Sequence, residues 1–235
     1  MTPPRRVRAL LFDLDGTLVD TETQTDQAID AVVSGHGISG FVLPHFETRG
    51  RTWVHVAETI RARTGIDIPV AVLTAELLTH WNSVTANAVP IPGAQQALPA
   101  AAAAGLKLAV VSSSPRSVIN RFVDQLGIAP VVGAAARIGG DDVQRGKPDP
   151  EGFLMAARAL EVDPAEALVF EDSRAGLLAA RAAGMRSMFI TCCAGDIAGN
   201  AALATTFFTD YRSLPPDLWV ELVAGSVDLS GRTFA

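Results

Sequence analysis

Two aspartates one residue apart, in Asp13-Leu14-Asp15-Gly16-Thr17, follow directly on an apolar run. Carboxylates this close repel each other, and partial burial adds the loss of hydration. A divalent cation removes that cost, and Mg²⁺ prefers oxygen ligands of this kind. Alone, the segment also reads as a strand-ending turn, for which Asp and Gly are suited. Three further segments carry chemically useful groups. Ser112-Ser113-Ser114 offers hydroxyls and backbone N–H groups to an anion where a helix opens. Serine followed by Pro115 is equally an ordinary helix start. Gly146-Lys147-Pro148-Asp149-Pro150 holds a cation in a proline-flanked loop. The chain has seventeen arginines and only two lysines, Lys107 and Lys147, so the place of a lysine carries information. Glu171-Asp172 emerges from another apolar run; acids do favour helix starts, but that explains poorly two in succession at a strand end. Together these segments supply two pairs of carboxylates, hydroxyl donors and a cation, the set needed to move a phosphoryl group.

Such residues act only if the fold gathers them. Residues 7–14, 106–112, 167–171 and 187–191 are short apolar runs, as expected of strands buried on both faces of a parallel sheet. Residues 94–104, 116–126, 150–160 and 174–183 read as helices, with Gly105, Gly127 and Gly184 just past three of them. Strand alternating with helix predicts an α/β fold with a Rossmann-like parallel-sheet core. Ligand sites in such sheets lie beyond the carboxyl ends of the strands, where all four segments fall. Residues 21–89 break the alternation. Helices are expected at 22–35, 52–63 and 71–87, followed by the stiff return Val89-Pro90-Ile91-Pro92-Gly93. The expectation is therefore a core of residues 1–20 and 90–235 with a helical cap domain, residues 21–89, inserted after the first strand. Its crossings fall near 18–22 and 88–92. Beyond about residue 211 the chain is less readable.

Composition narrows the partners. Half of the 235 residues are apolar, enough for a sizeable core. The net charge of -6, with no basic run, argues against nucleic acid. No window approaches the ~20 apolar residues of a membrane span, and the apolar stretch after the basic start is cut by Asp13 and Asp15, unlike a secretory signal. A cytoplasmic protein without a membrane partner is expected. The only cysteines, Cys192 and Cys193, are adjacent; neighbours rarely pair with each other, so they read as reduced, buried residues at a strand end.

The four segments, in this order, resemble the signature of the haloacid dehalogenase superfamily. Val169-Phe170-Glu171-Asp172-Ser173-Arg174-Ala175-Gly176 and Ala182-Ala183-Gly184-Met185 are similar to its β-phosphoglucomutase-like, sugar phosphatase branch. The resemblance implies Asp13 as nucleophile, forming an aspartyl phosphate, and Asp15 as general acid and base. It implies Mg²⁺ held by Asp13, the backbone carbonyl of Asp15, Asp172, and Glu171 directly or through water. Ser112, the backbone of Ser113 and Lys147 would hold phosphoryl oxygens. Arg49, Gly50, Arg51 and Thr52 lie where this branch places substrate contacts, so Gly50 and Arg51 are candidate cap residues for the substrate. Trp53 and Trp81 are expected in the cap core.

Within the family, dehalogenation needs neither metal nor the second aspartate, which is present here. A phosphonatase uses a cap lysine, and residues 21–89 contain none. The mutase has a histidine twelve residues after its nucleophile and a cap lysine; here the position is Thr25. The expected activity is a phosphatase acting on a small phosphorylated metabolite, such as a sugar phosphate. A β-phosphoglucomutase-type enzyme is the alternative. A non-catalytic binding protein would have lost Asp13, Asp15 or Lys147, and has not.

Overall fold

In the computed structural model, residues 6–230 and 232–234 are described; residues 1–5, the start of the basic N-terminal stretch, lie outside them. Nine strands are present among these residues: β1 (Ala9–Phe12), β2 (Val19–Asp20), β3 (Val89–Pro90), β4 (Lys107–Val111), β5 (Arg137–Ile138), β6 (Ala167–Glu171), β7 (Arg186–Ile190), β8 (Thr206–Phe208) and β9 (Thr233–Phe234). The helices are α1 (Glu22–Gly35), α2 (His45–Thr48), α3 (Trp53–Thr64), α4 (Val70–Val84), α5 (Ala94–Ala103), α6 (Arg116–Gln125), α7 (Glu151–Ala159), α8 (Arg174–Ala182), α9 (Ile197–Ala201) and α10 (Leu218–Ala224).

Seven strands form a parallel sheet in the order β5-β4-β1-β6-β7-β8-β9. Alternate side chains feed two buried layers. Leu10, Phe12, Leu108, Val110, Leu168 and Phe170 face one layer. Leu11, Ala109, Val111 and Val169 face the other, against Phe153 and Ala156 of α7 and Ala179 and Ala180 of α8. Burial on both faces is why these strands read as continuous apolar runs rather than alternating ones.

The strand register decides where the chemistry sits. Phe12 is level with Val110 of β4 and with Phe170 of β6. Asp13, Ser112 and Glu171 therefore leave three neighbouring strands at the same edge. After β1 the core strands fill one side, β4 then β5, before the chain returns to β6 on the other side. That reversal beside β1 is a switch point, where such sheets leave a crevice.

Helices α1, α3 and α4 pack on one another between β2 and β3, with the short α2 beside α3. The two crossings pair as an antiparallel ribbon, Val19 opposite Pro90 and Asp20 opposite Val89. The return segment is thus partly a strand rather than only a linker. The insert buries Trp53, Val56, Ile60, Leu73, Leu77 and Trp81 in an apolar cluster continuous with that of the sheet. From α6, Arg121 donates to the Thr85 carbonyl (3.1 Å) and to Asn82 Oδ1 (3.2 Å), and lies over the Trp81 ring. Among the described residues no helix is long and apolar enough to cross a membrane.

Candidate active site

Asp13 follows β1 and is 4 % exposed. Its Oδ1 accepts a hydrogen bond from Lys147 Nζ. The same ammonium donates to Glu171 Oε2 at 2.8 Å and to the Val111 carbonyl at 3.1 Å. Lys147 thus joins the ends of β1, β4 and β6. Burial lowers its pKa, but Asp13 and Glu171 outweigh that and hold it above the ordinary lysine range. Glu171 is fully buried, and its second oxygen accepts from the Ser173 backbone N–H (3.1 Å) and hydroxyl (2.7 Å). The rare lysine of the sequence is consumed in neutralising two acids.

Asp172, at the turn into α8, is 2 % exposed. Its Oδ1 accepts a long bond from Thr17 Oγ1, 3.5 Å, while the buried Oδ2 has no partner. Carboxylate oxygens of Asp13, Glu171 and Asp172 lie within 4.8 Å of one another. Burial, together with repulsion from neighbouring acids, raises the pKa of Asp13 and of Asp172 well above the ordinary value. An unpartnered oxygen among crowded carboxylates fits a hard divalent cation, since one lysine offsets two of the three acids and leaves Asp172 without a cationic partner among the described residues. Gly16 makes the approach possible. Its φ is +78°, and a Cβ there would meet Asp172 Oδ2 at 2.4 Å.

The Asp15 carboxylate turns away from that cluster. Oδ1 accepts from Thr21 Oγ1 at 3.0 Å. Oδ2 accepts from Ser112 Oγ at 3.2 Å and Ser114 Oγ at 3.0 Å. Burial raises its pKa, and the hydroxyl bonds oppose the rise. Its side chain is thus outside the acidic cluster, leaving only its backbone carbonyl as the group through which the resemblance assigned it to metal. Ser113 points elsewhere: its hydroxyl donates to the Gly50 carbonyl at 2.8 Å. Gly50 has φ +69°, and a Cβ there would strike Ser173 Oγ at 2.3 Å, so this loop rests directly on the sheet edge.

A small cavity of about 40 Å³ lies between sheet edge and insert. Asp13, Asp15, Ser112, Ser113 and Ser114 form its floor; Glu22, Thr25, Thr48, Arg49, Gly50 and Arg51 line it from the insert, with Trp53 and Trp81. The Arg51 Nε is buried without a partner, and one of its terminal nitrogens reaches the Lys147 carbonyl at 3.5 Å. The two tryptophans pack on each other, ring centroids 5.6 Å apart, and Trp81 Nε1 donates to Thr25 Oγ1 at 3.1 Å. They serve both as packing and as cavity wall.

Two residues of this site, Thr21 and Glu22, were not foreseen, nor were the partners that Ser114 and Arg49 take. Ser114 and Thr21 hold Asp15, and Glu22 pairs with Arg49, Oε2 to Nε 2.5 Å. Burial pushes the Glu22 carboxyl from 4.5 up to about 7, against the pull of Arg49. No spacing announced these pairs. The cysteines were expected to be buried, but β7 stops at Ile190, so Cys192 lies beyond the sheet and is exposed.

Known proteins carry the same organisation. The profile of the haloacid dehalogenase-like hydrolase family matches residues 7–184, which include every core residue above. Validoxylamine A 7'-phosphate phosphatase of Streptomyces hygroscopicus subsp. limoneus is 33 % identical over 186 residues, 78 % of this chain and 85 % of that protein. A phosphoglycolate phosphatase of Salmonella paratyphi A is 31 % identical over 216 residues, 81 % of this chain and 84 % of that protein. In fold, the β-phosphoglucomutase of Clostridium difficile superposes with a TM-score of 0.78 at 22 % identity, over 93 % of this chain and 97 % of that one. A parallel sheet with acids gathered at its switch point, a helical insert above it and a profile match over most of the length lead to one conclusion: the chain belongs to the haloacid dehalogenase-like hydrolase family.

Proposed function

We propose that the protein is a Mg²⁺-dependent phosphatase that removes the phosphoryl group of a small metabolite through an aspartyl phosphate on Asp13. The observation that carries this reading is the division of labour between two buried aspartates. Asp13 lies in a carboxylate cluster with an unsatisfied oxygen, while Asp15, which lines the same cavity, is held by three hydroxyls.

Asp13, the carbonyl of Asp15 and Asp172 would hold the cation, with Glu171 taking part directly or through water. Bound there, Mg²⁺ offsets the negative charge that a phosphate brings toward a carboxylate. Lys147 supplies fixed positive charge beside Asp13 and costs no reorganisation during reaction. Asp15, its pKa raised by burial, delivers a proton to the leaving alcohol. It then takes one from the water that hydrolyses the acyl phosphate. Splitting one hard displacement into two easier ones is what a covalent nucleophile provides. Ser112 Oγ and the Ser113 backbone N–H are suited to orient phosphoryl oxygens.

Residues 21–89 act in this reading as a cap domain over a core of residues 1–20 and 90–235. The polar lining contributed by Glu22, Thr25, Thr48 and Arg51 suits a hydroxyl-rich substrate, such as a sugar phosphate. Several relatives are named as phosphatases. Hydrolysis is favoured over a mutase reaction because Thr25 is committed to structure, accepting from Trp81 and donating to the Thr21 carbonyl. The test is a phosphate-release screen over phosphorylated metabolites with added Mg²⁺, run beside Asp13→Asn. The wild type releases phosphate from at least one sugar or polyol phosphate and the variant from none; equal release by the two would overturn the assignment.

A further inference from the structure

Cys192 and Cys193 follow β7 on the carboxyl side of the sheet and have no part in the chemistry above. Both thiols are free, Cys192 exposed and Cys193 half-buried, and their Sγ atoms lie 3.7 Å apart. The Cys193 carbonyl accepts from Arg49 Nη1 at 2.5 Å. Arg49 Nε in turn lies 2.5 Å from Glu22 Oε2, and both residues line the cavity that contains Asp15. Two contacts therefore connect the dithiol to the cavity wall.

We propose that Cys192 and Cys193 form a modification site, oxidised reversibly by small-molecule disulfides to an internal disulfide, and that ring closure releases Arg49 and loosens the Glu22–Arg49 wall of the cavity. The consequence for catalysis rests on the phosphatase reading; the modification itself does not.

The attacking sulfur belongs to Cys192. It is the more exposed, and a hydrogen bond from Cys193 holds its thiol below the ordinary value while raising that of Cys193. As a thiolate, Cys192 attacks one sulfur of the small disulfide, whose S–S bond breaks. The departing thiolate takes up the proton that Cys192 gave up. Cys193 then attacks Sγ of Cys192 in the mixed disulfide and expels the second thiol, which takes the Cys193 proton. The cysteines lose two electrons, and the small disulfide is reduced to two thiols.

Covalent geometry links closure to Arg49. Neighbouring Cα atoms lie about 3.8 Å apart across a trans peptide, below the ~4.4–6.8 Å usual for disulfides. Closing the sulfurs from 3.7 Å to a bond makes an eight-membered ring that includes the 192–193 peptide, so the torsion about the Cys193 N–Cα bond must change, and that rotation turns the Cys193 carbonyl. The same distortion makes the bond easy to reduce, as a reversible modification requires.

The full chain is incubated with oxidised glutathione. Three properties are read: intact mass, hydrogen exchange over residues 45–52, and KM for a phosphomonoester substrate. Exchange there reports on the Arg49 and Arg51 amides, which bond to the carbonyls of His45 and Thr48. The expected result is loss of two hydrogens with no retained glutathione, faster exchange over 45–52, and KM raised about tenfold, equivalent to ~1.4 kcal/mol. Dithiothreitol should reverse all three, and Cys192→Ser and Cys193→Ser should show none of them. Retained glutathione without ring closure overturns the proposal, as does ring closure with unchanged exchange over 45–52. Mass and exchange need no turnover. A reduced protein without phosphatase activity would therefore refute the phosphatase reading while those two readouts still decide this one.

Discussion

Replacing Lys147 by methionine keeps the length of the side chain and removes its charge. In the native protein the ammonium bridges Asp13 and Glu171, and all three groups are buried. Breaking a buried pair by removing one partner costs about 3–5 kcal/mol, because the remaining charge is left uncompensated. At ~2–4 °C per kcal/mol for a chain of this size, Tm should fall by roughly 6–20 °C. The sign of the pH dependence follows from the acids. Asp13 and Asp172 already have raised pKa values, and loss of the lysine raises that of Asp13 further. A raised carboxyl pKa contributes stability below the unfolded-state value and loses it as pH rises through the folded-state value. The gap between wild type and Lys147→Met should thus be wide at pH 8 and narrow toward pH 4. Thermal melts of both proteins in metal-free buffer across that range provide the assay. A gap independent of pH would refute the reasoning. It would mean that the loss comes from packing, such as the contact between Lys147 Nζ and the Phe153 ring, centroid 5.0 Å away.

Two further substitutions probe neighbouring features. Glu22→Gln removes a carboxyl whose pKa rises from 4.5 to about 7. At ~1.4 kcal/mol per unit, wild type should lose roughly 3 kcal/mol relative to the variant as pH rises across that interval, read by denaturant melts at pH 4.5 and 8; no relative change would show that Glu22 is not desolvated. Gly16→Ala puts a Cβ 2.4 Å from Asp172 Oδ2 at φ +78°. It should cost about 1–3 kcal/mol from backbone strain alone and weaken Mg²⁺ binding at least tenfold by calorimetry; unchanged Mg²⁺ affinity would detach Gly16 from the site.

What was legible depended on element length and burial. Strands β1, β4, β6 and β7 show as apolar runs because both faces are covered, and α1 shows because its pattern spans 14 residues. Strands β5, β8 and β9, two or three residues each, and the four-residue α2 are shorter than any periodic window. Hence β8 and β9, at the C-terminal edge of the sheet, could not be read from the sequence. In the site, Asp13 and Asp172 were legible because charge after an apolar strand needs a reason, and Lys147 because lysine is rare in this chain. That Ser114 would hold Asp15 was not, since a serine before proline looks like any helix start. Glu22 and Arg49 lie on the insert, 27 positions apart, and only the tertiary folding of that insert makes them partners.

The central claim is that phosphorus passes through Asp13. Sodium borohydride reduces an aspartyl phosphate to homoserine, so quenching the enzyme with it during turnover, followed by peptide mass spectrometry, reads the attacked residue directly. Homoserine at position 13, present only with substrate and absent in Asp13→Asn, is the predicted result. Phosphate release at full rate with homoserine at another position, or at none, would contradict it.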